Sequence, residues 1–152
     1  MKTKRKIRAT VTHQPFAVPI EMRPLWRICL ILISIAVVGR ENNYVDVQKI
    51  NILVWMLTRK SKWDTYESYL LDRTSTVPLV SVDTATYRAI EFSRAKEFII
   101  IQGKRLYITE TGREIFDLLV QNGIMLNERE FLASLGKKLT DKKVKSLIGG
   151  SA

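Results

Sequence analysis

The sequence is short of the residues on which most enzyme chemistry depends. Its 152 residues include one cysteine and one histidine. Cys29 lies in an apolar stretch and His13 in a proline-bearing segment, so we do not expect them to pair in nucleophilic catalysis. A single cysteine also excludes an intramolecular disulfide and a disulfide-rich secreted scaffold. We therefore expect a non-catalytic protein of the reducing cytoplasm.

Motifs for metals and cofactors are missing as well. No Cys/His cluster has the spacing of zinc ligands, and the seven glycines are scattered rather than gathered in a phosphate-binding loop. The carboxylates are spread singly, and the closest helical pair, Asp64 and Glu67, is expected to face solvent. We predict no metal site, no cofactor and no small-molecule substrate.

Long hydrophobic runs are limited to one segment, residues 28–38, which read ICLILISIAVV. Eleven residues are too few for a membrane-spanning helix, so this run predicts a buried helix. Behind the basic N-terminus the chain carries Pro15 and Pro19 instead of an apolar segment. No secretory signal and no membrane association are expected.

Acidic residues are too few to balance the 25 lysines and arginines, and the formal charge is +10. Residues 1–8 contribute +5 of this charge and residues 137–145 contribute +4, which leaves the body of the chain nearly neutral. We predict a basic extended arm at 1–21, one domain at 22–136 and a basic flexible C-terminal tail at 137–152. Such tails attract phosphate at long range without reading sequence.

Apolar spacing predicts helices through the first half of the chain. The first begins near Pro24, a residue suited to a first helical turn, and ends near Gly39. Because it is apolar on nearly all sides, it should be buried on most faces. A polar turn at 40–45 precedes a second helix that begins at Asp46 and ends near Lys60.

A third helix, at residues 62–73, places Trp63, Tyr66 and Leu70 on one face, a pattern more typical of a core than of a recognition surface. An extended connection at 74–82 follows it.

Asp83 is a favourable N-cap for a fourth helix. The spacing of Ala85, Ala89 and Phe92 places these three residues on one face of this helix.

A β-hairpin follows, with strands at 98–101 and 105–108 and Gly103 at the tip, where a tight turn needs positive φ. Thr111 and Glu114 have the spacing of a capping box for the next helix. Ile115, Leu118 and Leu119 are the predicted inward residues of that helix. A final amphipathic segment is predicted at 127–139.

Helices followed by a hairpin and a further helix are the order of a winged helix. The predicted fold class is therefore mainly α with a small β-hairpin wing, a winged-helix-like domain with extra helices.

A DNA-reading interpretation would place the fourth helix in the major groove and the wing on adjacent phosphates. Against it, a whole helix and an extended stretch separate Lys60 from Asp83, and Asp83 and Glu91 nearly balance the cations of the fourth helix. A solvated face explains these cations equally well.

The segments RPLWRICLILISIAVV, VDVQKINILVWMLTR, VPLVSVDTATYRAIEFSRAKEFI and GKRLYITETGREI together resemble the middle components of bacterial ABC-three-component defence systems of the Lamassu type. The resemblance covers about two thirds of the chain, roughly residues 24–119. It implies a non-catalytic winged-helix subunit that binds an SMC-like ABC ATPase and helps to control an effector subunit in anti-phage or anti-plasmid defence. The basic ends lie outside the resemblance, and we expect them to contact DNA without sequence preference.

Two sets of candidate residues follow from these patterns. Trp and Tyr dominate interface energetics, so the aromatic residues of the helices are partner-interface candidates. The cations of the ends, the fourth helix and the wing are nucleic-acid candidates, and they also carry the alternative hypothesis of a stand-alone winged-helix transcription regulator. The partner candidates are Trp26, Trp55, Trp63 and Tyr66; the nucleic-acid candidates are Lys2, Lys4, Arg5, Lys6, Arg8, Arg88, Arg94, Lys104, Arg105, Lys142, Lys143 and Lys145.

Overall fold

The structure is a computed structural model that describes residues 23–149. The predicted basic arm, with its cations and His13, lies outside the described residues. The nucleic-acid candidates that fall there are Lys2, Lys4, Arg5, Lys6 and Arg8.

The described part of the chain consists of helices around a small sheet. The helices are α1 (Pro24–Ser34), α2 (Val47–Leu57), α3 (Trp63–Leu70), α4 (Thr84–Ala95), α5 (Glu110–Gln121), α6 (Leu126–Leu135) and α7 (Asp141–Gly149). The strands are β1 (Tyr44–Asp46), β2 (Ile99–Gln102) and β3 (Arg105–Ile108), which form an antiparallel sheet in the order β1-β3-β2. The prediction of a mainly α protein with a small β-hairpin is confirmed.

Helix α1 is the centre of the core and contacts α2, α4, α5 and α6. Every residue from Ile28 to Ala36 is buried, as expected of a helix that is apolar on all sides. Pro24 occupies the first turn, and a π-helical turn at Ile35–Gly39 completes the helix. The predicted extent of the first helix is confirmed.

The predicted polar turn at 40–45 is only partly correct. Arg40–Asn42 form a 3-10 turn, but the next residues form strand β1, in which Tyr44 pairs with Tyr107 and Val45 with Leu106. Three residues are too few to show an alternating pattern, so pairing with β3 creates a strand that local sequence does not signal.

The second and third helices follow the prediction closely. Asp46 precedes α2, and α3 buries Tyr66 and Leu70 while Trp63 is half-buried. The connection at 74–83 has no regular secondary structure, as expected.

The apolar face predicted for α4 is buried only in part, at Ala89. Ala85 and Phe92 are exposed, whereas the buried residues are Thr86, Ala89, Ile90 and Ser93. Two of these four are polar, and their hydroxyls are satisfied internally. Ser93 Oγ donates to the carbonyl of Ala89 at 2.7 Å, and Thr86 Oγ1 accepts from Arg27 at 3.3 Å. The inward face is therefore half polar, and apolar spacing identified only Ala89 among its four residues.

The hairpin is confirmed, with Gly103 at φ +61° in its turn. The predicted cap of the following helix is wrong by two residues, because Thr109 rather than Thr111 accepts a hydrogen bond from the backbone N–H of Gly112 at 3.1 Å. Leu118 is also exposed, by 56%, rather than inward, while Leu119 is buried.

Residues 137–149 differ from the predicted flexible tail. A 3-10 turn at Gly136–Lys138 leads into α7, which packs against α2. Val144 and Leu147 of α7 are buried. The prediction was based on the five lysines of this segment, and it therefore missed the short amphipathic helix that Val144 and Leu147 form.

Candidate functional surfaces

The hairpin, β1, the start of α2 and α7 enclose a cleft of about 510 Å³. Three predicted nucleic-acid candidates, Lys104, Arg105 and Lys145, line it although they come from distant parts of the sequence. Lys49 lines it as well, and sequence reasoning missed this residue because it belongs to an otherwise apolar helix. We call these four cations with their surroundings the basic cleft.

The cations of the basic cleft are partly balanced by carboxylates. Asp46 and Asp141 also line the cleft, so four cations face two acids. The guanidinium of Arg105 stacks over the ring of Tyr44, with 4.3 Å from its Cζ to the ring centroid. Interaction with Tyr107, and then with Tyr44, raises the pKa of Arg105. The cleft can hold an anionic group such as a phosphate, with modest net attraction.

Among residues 23–149, the remaining cation candidates do not line the basic cleft. Arg94 forms an ion pair with Glu91 at 2.7 Å on the exposed side of α4. Lys143 pairs with Asp72 and lies 5.4 Å from the ring of Tyr69, which ties α7 to the end of α3. Two further candidates, Arg88 and Lys142, are exposed away from the cleft.

Two of the four aromatic partner candidates belong to the core. Tyr66 is only 3% exposed, and burial raises the pKa of its hydroxyl. Trp63 donates its indole N–H to the carbonyl of Met56 at 2.8 Å, and its ring lies 4.7 Å from that of Phe131. Tyr66 therefore offers no surface, whereas the half-buried Trp63 stabilises the packing of α3 against α2 and α6 and keeps part of its ring accessible.

The other two aromatic candidates are half-buried. The ring of Trp55 is covered by Arg59, whose Cζ lies 3.2 Å from the ring centroid and whose guanidinium donates to the Trp55 carbonyl. The pKa of Arg59 is lowered, and burial of its guanidinium is the main cause. Trp26 packs against the core, and its buried indole N–H has no acceptor among residues 23–149.

A second cleft, of about 560 Å³, lies between α2, the connection before α4, α4 itself and the end of α7. Its exposed wall is apolar: Leu79 is 76% exposed, Tyr87 51% and Val82 48%. Among the described residues, none that lines this cleft is charged. We call it the apolar groove, and its lining residues are Val47, Gln48, Asn51, Ile52, Leu79, Val80, Ser81, Val82, Tyr87 and Ile148.

One polar group in the apolar groove is incompletely satisfied. Asn51 is only 6% exposed, and its Nδ2 donates to the carbonyl of Val47 at 3.1 Å. That bond leaves its Oδ1 buried, without a donor among the described residues. A buried acceptor without a donor is costly, so a ligand that supplied an N–H or O–H here would recover free energy.

Sequence reasoning missed the exposed residues of the apolar groove. Leu79 and Val82 lie in an irregular connection where no periodicity indicates which side chains face solvent. Tyr87 lies on α4, where apolar spacing identified only one of the four inward residues. The one available signal was the density of apolar residues in VPLVSV, which is unusual for a loop.

Other chemistry is limited in the described residues. Cys29 is buried, and burial raises the pKa of its thiol. Among residues 23–149, no three His, Cys, Asp or Glu side chains are grouped so that they could hold a metal ion. No helix in this range combines the length and apolarity needed to span a membrane.

Comparison with known proteins gives no relative for this chain. No family model matches it, and no match was found among curated proteins or solved structures.

Proposed function

We propose that this protein is a non-catalytic winged-helix subunit that binds another protein through the apolar groove. The observation that carries the proposal is the groove itself. Its described lining is largely apolar and carries no charge, and it contains a buried acceptor, Asn51 Oδ1, that has no donor within residues 23–149. Contiguous exposed apolar surface of this kind marks protein interaction sites on soluble domains.

The order of elements supports a winged-helix assignment. In a winged helix, a strand between the first two helices pairs with a hairpin that follows the last helix of the helix-turn-helix. Here β1 follows α1, and the sheet order β1-β3-β2 places it against the hairpin. The departure is α3 with its long connection, which comes between α2 and α4.

That departure also creates the apolar groove. The connection carries Leu79 and Val82 alongside α2, next to Tyr87 in the first turns of α4. The helix that would read DNA in a winged-helix regulator therefore presents aromatic surface, from Tyr87 and the half-exposed Phe92. Aromatic residues on an exposed helix face favour a protein partner over a phosphate backbone.

The sequence resemblance to middle components of ABC-three-component systems suggests the partner. On that basis the groove binds an SMC-like ABC ATPase, and the complex controls an effector in anti-phage or anti-plasmid defence. A segment of the ATPase would place apolar side chains against Leu79 and Tyr87 and donate a hydrogen bond to Asn51. The basic ends would add contact with DNA that the ATPase holds, without sequence preference.

A pull-down from the source cell tests this function. Tagged full-length protein should retain an SMC-like ATPase, and Val82→Glu should abolish retention because it puts a carboxylate into an uncharged groove. Leu118→Glu is a matched control, since Leu118 is an equally exposed apolar residue on α5, outside the groove. Retention of the ATPase by the Val82→Glu variant at the wild-type level would contradict the proposal.

A stand-alone DNA-binding regulator is the second candidate, and the basic cleft is the observation that favours it. Mobility-shift titrations at several salt concentrations separate the two functions. Binding that is tight, specific for one duplex and lost in Lys104→Ala and Lys145→Ala would favour the regulator. Binding that decays steeply with salt and ignores sequence would fit only an accessory role.

A further inference from the structure

Strand β2 is an edge of the sheet, because β3 pairs with it on one side and no described strand pairs with it on the other. It reads IIIQ and carries no charge or proline, the usual devices that protect an edge. A cleft of about 540 Å³ lies beside this strand and is lined by Ile99–Ile101, Thr109–Thr111, Arg94 and Glu97. Within the described residues, the edge is therefore open to another strand.

The hairpin geometry shows which backbone groups are free. Gly103 and Lys104 form a two-residue turn, so the flanking pair Gln102 and Arg105 is hydrogen-bonded and the bonded pairs alternate along the strands. Ile100 and Tyr107 form the next bonded pair. The backbone N–H and C=O groups of Ile99 and Ile101 consequently point to the open edge.

The solvent side of the sheet carries an apolar row that ends at this edge. Tyr44 of β1 pairs with Tyr107 of β3, and Tyr107 pairs with Ile100 of β2. The two tyrosine rings lie 5.1 Å apart, and Ile100 is 50% exposed. Side chains of paired residues lie on one face of a sheet, so an added strand would continue this row beside Ile100.

We infer that two copies of this chain associate through antiparallel β2–β2 pairing about a twofold axis at Ile100. In this arrangement Ile100 meets its own counterpart, and Ile99 of one copy pairs with Ile101 of its partner, whose backbone groups have the required orientation. The two sheets become one continuous sheet, and the apolar row runs through both copies.

Charge supports a second copy as the occupant of the edge. Glu97 precedes β2, and Lys104 follows it at the hairpin tip. Antiparallel pairing centred on Ile100 brings Glu97 of one copy opposite Gly103 of its partner, and so next to Lys104. The contact repeats on the other side of the twofold axis. Because the interface is small, we expect dissociation at concentrations on the order of micromolar.

Sedimentation of the full-length protein over a range of concentrations tests the inference. The wild type should show a monomer–dimer equilibrium. Ile100→Arg should raise the dimer dissociation constant by at least about tenfold, because it places two like charges together at the axis. Leu118→Arg, an exposed substitution on α5, should leave the equilibrium unchanged.

Reversing the charges of Glu97 and Lys104 separates a lost contact from misfolding, because only a lost contact can be restored by the double substitution. Glu97→Lys and Lys104→Glu should each weaken the dimer, and the two substitutions together should restore it. A wild type that stays monomeric at every concentration, with the edge bare or covered by another segment, would overturn the inference. So would a dimer that Ile100→Arg leaves intact. Neither result bears on the apolar groove, which shares no residue with β2.

Discussion

Arg27 of α1 forms an ion pair with Asp83, the N-cap of α4, at 3.4 Å. Both side chains are largely buried, and the same guanidinium donates to Thr86 Oγ1 at 3.3 Å. Asp83 Oδ1 also accepts the backbone N–H of Thr86 at 2.7 Å. One carboxylate therefore caps α4 and attaches it to the central helix, which fixes where Tyr87 stands in the apolar groove.

Replacing this carboxylate should be costly. Asp83→Ala removes the cap, which is worth about 1 kcal/mol, and leaves Arg27 without its ion-pair partner, so we expect a loss of about 2 kcal/mol in the free energy of unfolding. Asp83→Asn retains an acceptor for the Thr86 N–H and should lose clearly less. Urea unfolding measures both, and equal losses in the two variants would mean that the cap contributes nothing.

Gly112 permits the close approach of α5 to the hairpin and to α1. A methyl group at this position would overlap the carbonyl oxygen of Phe98 and lie 3.0 Å from Ile108 Cγ1 and 3.2 Å from Leu32 Cδ2. Gly112→Ala should therefore destabilise the protein by about 2 to 3 kcal/mol despite the better helix propensity of alanine.

Gly149→Ala is the control for this substitution, because no other described residue lies within 4 Å of the added methyl group. Its unfolding free energy should change by less than about 0.5 kcal/mol. A Gly112→Ala variant as stable as the wild type would show that α5 is not packed as described.

Leu147 tests whether α7 belongs to the folded domain. It is 1% exposed, so Leu147→Ala should cost about 2 to 3 kcal/mol in urea unfolding. The exposed Lys142→Ala, on the same helix, should change stability by less than about 0.5 kcal/mol. If both substitutions were neutral, residues 141–149 would behave as the flexible tail that composition suggests.

Cys29 provides a stability difference that depends on pH. Burial raises the pKa of its thiol in the folded state, so the unfolded state ionises first as pH rises. The stabilisation by the protonated thiol is complete below its unfolded pKa of about 8.5 and is lost progressively above it. We predict that the stability advantage of wild type over Cys29→Ala shrinks between neutral and alkaline pH. A constant difference in urea unfolding over that range would contradict this.

The sequence predicts the elements of this protein better than it predicts its surfaces. The α1 run, the Asp83 cap and the Gly103 turn each depend on local chemistry, and each is where the pattern placed it. Strand β1 and the Thr109 cap depend on pairing between distant segments. Thr109 Oγ1, for example, donates to the carbonyl of Glu97 at 2.6 Å, and no local sequence motif predicts this contact.

The two surfaces could be predicted only in part. Lys104, Arg105 and Lys145 were recognised as cations, but their convergence with Lys49 results from the packing of α7 against α2. The apolar groove could not be predicted because Thr86 and Ser93 take the inward positions of α4 and turn the aromatic residues outward. A prediction based on apolar spacing misses inward residues that are polar and find their hydrogen-bond partners inside the protein.

The most direct test of the central claim compares two affinities of the same full-length protein, one for the proposed partner, an SMC-like ATPase, and one for an arbitrary DNA duplex. A Tyr87→Ala substitution should lower affinity for the ATPase by at least about tenfold, as expected of an aromatic anchor, and leave DNA affinity unchanged. The account would be contradicted if Tyr87→Ala bound the ATPase as tightly as wild type, or if it lost DNA binding instead.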